Sequence, residues 1–272
     1  MNLRSFAAFV TLGLTLALPV AAAPSAAELA KVLRLEEVIG IIHDEGLSYA
    51  QSIEREMFPS GGGQLWDMTV QRLYDTDTMH AALQSALGEE MSSEARDETQ
   101  AFFDTDRGQS ILTFENAARS AMADPDVEEV ARAAYEELRE VGSARLDQID
   151  RFVAANDLIE RNVAGALSSN YQFFRGLVDG GAFVMSEEDI LSDVYGQEPE
   201  VREETESWIF AFLLLAYQPL SDEVLEAYIA FSETEGGREL NAALFEGFER
   251  MYRDVSYRLG LAASAAMAGS DL

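Results

Sequence analysis

The chain has 272 residues, 49 of them acidic and 19 basic, for a formal charge of −30. A field of that sign repels phosphate backbones and anionic headgroups, which argues against nucleic-acid binding and against electrostatic attachment to a membrane surface. Cysteine is absent, so neither disulfides nor thiolate metal sites are available to the fold.

The chain opens with one arginine, an apolar stretch from Phe6 to Leu18 and then small residues. This pattern predicts a secretory signal peptide over 1–23, cleaved near Ala22 or Ala23, and a periplasmic or secreted mature protein. No cysteine follows the small residues, so no lipoprotein anchor is expected. The remainder, 24–272, is long enough for a single domain with a substantial core.

Ser25 and Glu28 form a capping box ahead of a stripe of Leu29, Val32, Leu33, Val38, Ile39 and Ile42. The expected helix runs past Gly46 to Met57. Within it His43, Asp44 and Glu45 are contiguous, so their side chains point around the helix; a solvated face is the expected role. Pro59 to Gly63 reads as a loop, and no lysine follows its glycines as a phosphate loop requires. A short helix over Trp66 to Tyr74 follows, then one capped by Asp75 or Asp77 and ending near Gly88. Asp77 and His80 lie one turn apart, but a di-iron bundle needs a second such pair and none exists.

Ser92 to Gly108 is then written a second time at Ser221 to Gly237, in register at an offset of 129. Ser92 and Ser221 are placed as N-caps, Phe102 and Phe231 end the first helix, and Thr105 and Thr234 cap the second. Gly108 and Gly237 then fall inside the first turn of that second helix. A glycine there costs about 1 kcal/mol against alanine. Close backbone approach by a facing helix is the favoured reason, and a left-handed C-cap is the rival. The two copies extend over about 66–122 and 198–252.

One pair departs from the repeat. Copy one carries Glu115 and Arg119 where copy two has Leu244 and Phe248, so both positions are expected to face the core. The acid-first spacing of four predicts an internal ion pair between Glu115 and Arg119, favoured over a binding site. Asp104, Asp106 and Glu115 also match three positions of a calcium loop, but the glycine falls one place early and copy two has Leu244 for the last ligand.

Asp124 with Pro125 starts a helix expected to run, slightly bent, to about Ala155. Leu158 to Val178 forms the next helix, Gly180-Gly181 breaks it, and Ser186 caps a short one. Trp208 to Tyr217 is the most apolar segment of 24–272; at half the length a bilayer span needs, it reads as the central buried helix. The last helix is expected from about Glu235 to Ala266. No strand alternation appears, so the fold class is an all-α multi-helix bundle built from two helix-turn-helix repeats.

The aromatic-x-x-Thr-x-x-Gly turn, Phe102 to Gly108 and Phe231 to Gly237, follows in each case a helix that opens with a serine and acids. On these residues the chain resembles the bacterial exported family catalogued as domain of unknown function 2059 (DUF2059). That family commonly has proline after the Ser/Thr, where this chain has Asp106 and Glu235. The resemblance implies a helical periplasmic domain and no catalytic residue. The expected function is therefore a non-enzymatic module that binds another protein or a small apolar ligand between its halves, with no cofactor or metal called for. The alternative is a carboxylate-based or metal-dependent hydrolase, using His80 if a metal is present. The candidate site residues are Phe102, Thr105, Gly108, Glu115, Arg119, Phe231, Thr234 and Gly237.

Overall fold

A computed structural model describes residues 23–58 and 61–270. The expected signal peptide, apart from Ala23, and part of the Pro59 loop lie outside them. Among the described residues every regular element is an α-helix: α1 Ala26–Val32, α2 Leu35–Met57, α3 Gly63–Leu73, α4 Thr76–Glu90, α5 Ser93–Phe103, α6 Asp106–Met122, α7 Pro125–Val141, α8 Ala144–Ala155, α9 Leu158–Asp179, α10 Glu187–Gly196, α11 Glu198–Tyr217, α12 Asp222–Ser232 and α13 Glu235–Ser270. No helix among them is long and apolar enough to cross a membrane.

Most helix starts follow the capping chemistry of the sequence. Ser25 and Ser186 form capping boxes with Glu28 and Asp189, and Asp75, Ser92, Thr105 and Asp124 each accept a first-turn amide. Ser221 holds the N-cap position without a side-chain cap bond. Two expected long helices are each broken in two. The first stops at Arg34, which sits in the left-handed region at φ 54°. Its guanidinium reaches Thr113 of α6 and Glu37 of α2, contacts that offset the strain of a non-glycine residue there. The second stops at Gly142, at φ 78° and ψ 147°, a conformation that side chains rarely adopt.

The two hairpin turns are built alike. Thr105 Oγ donates to the Phe102 carbonyl at 2.7 Å and accepts the Gly108 amide at 3.1 Å. Thr234 does the same with Phe231 at 2.8 Å and Gly237 at 3.1 Å. Close approach is the reason for both glycines, but the backbone they meet is that of the preceding helix, not a distant facing one. A Cβ on Gly108 would lie 2.5 Å from Phe103 Cα, and one on Gly237 2.1 Å from the Phe231 carbonyl oxygen. Neither glycine has positive φ, so the left-handed cap reading falls.

Apolar side chains collect into two main cores. In the first, α13 lies against α3, α4 and α5, with Leu240, Ala243, Met251, Val255 and Leu259 meeting Leu73, Leu83 and Leu87. In the second, α11 lies against α6, α7 and α8, with Phe210, Leu213 and Tyr217 meeting Ile111, Tyr135 and Ile149. The hairpins thus exchange their second helices: α6 packs on the helix that precedes the other hairpin, α11, and α13 packs on α4. Where the cores meet, Phe102 and Phe231 stack at 4.4 Å and 14°, and Tyr228 touches Phe102, Phe103 and Phe152. Stacked and edge-on rings add about 0.5–1.5 kcal/mol per pair beyond area burial, so these turn aromatics hold the seam together. The Trp208 to Tyr217 segment is buried as expected over its later turns.

Candidate functional site

α9 and α13 run side by side in the same direction. At one end Asn241 Nδ2 donates to the Asn156 carbonyl at 2.9 Å; towards the other, Gly176 and Gly260 bring the two backbones into contact. A Cβ on Gly176 would meet the Tyr257 carbonyl at 2.2 Å, and one on Gly260 the Phe173 carbonyl at 2.2 Å. Between these ends the pair forms one side of a crevice. Its outer chamber holds about 500 Å³ and is bounded by Arg119 of α6, Trp208 of α11, Phe245, Phe248 and Tyr252 of α13, and the small residues Ala164, Gly165 and Ala166 of α9. An inner chamber of about 230 Å³ continues toward α2, with Glu45, Tyr49, Tyr74 and Phe173; the two share Ser169 and Tyr252. A larger depression of about 890 Å³ beside α7 and α11 is lined by Glu136, Glu200, Glu203 and Glu204, acids that face solvent, and lacks such apolar walls.

The expected Glu115–Arg119 ion pair is not formed; each side chain has a different partner. Arg119 makes a two-pronged bridge to Glu45, Nε to Oε1 at 3.0 Å and Nη2 to Oε2 at 2.8 Å, which ties α6 to α2 at the junction of the two chambers. Both side chains are partly buried, at 29% and 32% exposure. Burial on its own works against the Arg119 charge, but the Glu45 carboxylate more than offsets it and, with Tyr252 beside it, holds the guanidinium above its ordinary value. Glu45 is therefore not on a solvated face. His43, beside it in the chain, donates from Nδ1 to the Tyr74 carbonyl at 2.6 Å.

Glu115, one turn before Arg119, accepts the Tyr217 hydroxyl at 2.6 Å, with the Tyr228 hydroxyl in reach of the same carboxyl. Burial raises its pKa to about 7, and the two phenols only partly counter that rise. The same burial, with the Glu115 charge beside them, pushes both tyrosines well above their ordinary value. Glu115 is thus a carboxyl that can hold a proton near neutrality, surrounded by aromatic rings rather than cations. The phenol bond, not a calcium loop, accounts for it.

At the positions matched in sequence, Leu244 and Phe248 are partly buried against the first core, and Glu115 and Arg119 are partly buried as well. Arg119 and Phe248 border the same outer chamber. Phe102, Thr105, Gly108, Phe231, Thr234 and Gly237 instead build the turns and the seam. Glu45, Tyr217, Tyr228 and Trp208 were not singled out by sequence reasoning as site residues; an arginine and a glutamate at positions that their repeat fills with apolar side chains is the signal that led toward them. Among the described residues no three His, Asp or Glu side chains converge as metal donors. Comparison with known proteins finds no match among family models, curated proteins or solved structures.

Proposed function

We propose that the chain is an exported, non-enzymatic binding module that holds a small, largely apolar molecule in the crevice between its two hairpins. The observation that carries this reading is the outer chamber itself: about 500 Å³, walled by Trp208, Phe245, Phe248 and Tyr252 and floored by small residues of α9. That is the size and lining of a ligand pocket. A half-open crevice of that volume favours a small molecule over a protein partner, which needs an extended surface. The hydrolase alternative draws less support, because the raised carboxyl of Glu115 is held by two tyrosines rather than by a second acid. The resemblance to the DUF2059 family belongs to the same proposal and rests on the residues of the two turns, Phe102 to Gly108 and Phe231 to Gly237.

Trp208 lines the chamber and Trp66 lies in the first core, so comparing the two donors reports where a probe sits. Titration with neutral N-phenyl-1-naphthylamine should give saturable transfer from tryptophan that falls more in Trp208→Phe, which removes the donor at contact distance, than in Trp66→Phe. Transfer that falls more in Trp66→Phe than in Trp208→Phe, or that never saturates, would put the probe elsewhere and refute the reading.

A further inference from the structure

Four aromatic side chains would accept many apolar molecules, but the polar groups around the outer chamber narrow the choice. Two guanidinium groups border it in a chain whose acids outnumber its bases. Arg119 spends Nε and Nη2 on Glu45, leaving the Nη1 end of its fork outside that bridge. Arg161 lies at the rim, its guanidinium 5.3 Å from the Phe245 ring centre, and its nearest carboxylate, Asp157, stands 3.9 Å away. An arginine laid on an aromatic ring and only loosely paired keeps most of its five donors for an incoming planar acceptor. The single acid on the chamber wall, Glu249, is 3.9 Å from Arg253.

We infer, resting on the binding reading above, that the occupant is an aromatic carboxylate, with its ring between Trp208 and Phe248 and its carboxylate on Arg161. The overall charge does not contradict this. Fields from distant surface acids are screened beyond about 10 Å at 0.1 M salt, whereas the guanidinium acts at contact distance. Gly165 supplies the room: a Cβ built there meets nothing within 4 Å, so the space beside α9 belongs to the chamber and not to a neighbouring helix.

The test compares three probes of similar size and the same ring position, 1-naphthoate, 1-naphthalenemethanol and 1-naphthylmethylammonium, by isothermal titration and Trp208 fluorescence. Naphthoate should bind at least tenfold more tightly than the other two. Arg161→Met should remove that advantage and leave the alcohol unchanged. Gly165→Leu should weaken all three at least tenfold, while Gly165→Leu and Gly165→Ala melt at or above the wild-type temperature, since both replace a mid-helix glycine. Equal binding of acid and alcohol, or preference for the ammonium, overturns the carboxylate assignment and leaves the pocket standing. Wild-type affinity in Gly165→Leu, or no binding of any probe, overturns both.

Discussion

The pH dependence of stability isolates Glu115. Its carboxyl titrates near 7 in the folded chain against an ordinary value of 4.5, because burial penalises the anion more than Tyr217 and Tyr228 stabilise it. The folded state therefore keeps a proton that the unfolded chain has released, so this group's contribution is full below 4.5 and is lost as pH rises through 7. At about 1.36 kcal/mol per unit the span amounts to roughly 3 kcal/mol. Between pH 5 and 8, and with the residue partly exposed, about 2 kcal/mol should remain. Glu115→Gln removes the titration and keeps an oxygen that can accept from Tyr217. Urea denaturation of both proteins at half-unit steps from pH 5 to 8 reads the difference, in which the titration of the other 48 acids cancels. The variant should gain on wild type by about 2 kcal/mol as pH rises, its curve flattening above 7. A changed hydrogen bond adds a constant offset, not a slope. A pH-independent difference, or a variant that loses ground as pH rises, would falsify the claim that Glu115 is held as a neutral acid.

Other outcomes follow from the same geometry. Glu45→Gln should strand a partly buried Arg119 and cost about 1–3 kcal/mol, while Glu45→Leu with Arg119→Met should melt closer to wild type than either single change; additive losses would show the bridge to be unimportant. Gly108→Ala should destabilise by about 1–3 kcal/mol by forcing a methyl onto the end of α5, checked by thermal melts. Gly142→Ala should cost about 1–3 kcal/mol through backbone strain alone, with no change in the α7 or α8 cores, and a wild-type melt would refute it. Expressed in an exporting host, the chain should begin within a residue or two of Ala23; Edman sequencing that returns Met1 would refute the export proposal.

Capping chemistry is local, and it was legible: Ser25, Asp75, Ser92, Thr105, Asp124 and Ser186 each begin a helix where the sequence places one. The break at Arg34 was not, because nothing in Leu33-Arg34-Leu35 resembles a turn; what secures it is Thr113, 79 residues away. The break at Gly142 was legible only as a slight bend in one long helix, since a lone glycine does not declare its φ. At the site, comparison of the two copies identified positions 115 and 119 as inward-facing but could not supply their partners. Those partners, Glu45 and Tyr217, lie 74 and 102 residues away in the chain. Glu45 was hidden further by its neighbours: a run of His, Asp and Glu looks solvated because charge and contiguity say nothing about which of the three turns inward.

The exchange of second helices bears on how the chain comes to fold. The first five helices emerge early in synthesis, yet their core lacks Leu240, Ala243, Met251, Val255 and Leu259 until α13 is made. Contacts of such long sequence separation pay their loop-closure entropy before any burial rewards it, and they slow folding. Until then the apolar faces of α3, α4 and α5 that α13 covers in the finished fold have no partner helix. A ribosome-bound fragment ending before Glu235 should accordingly be a good client for holdase chaperones, and release of the completed C-terminus should be the step that ends the association.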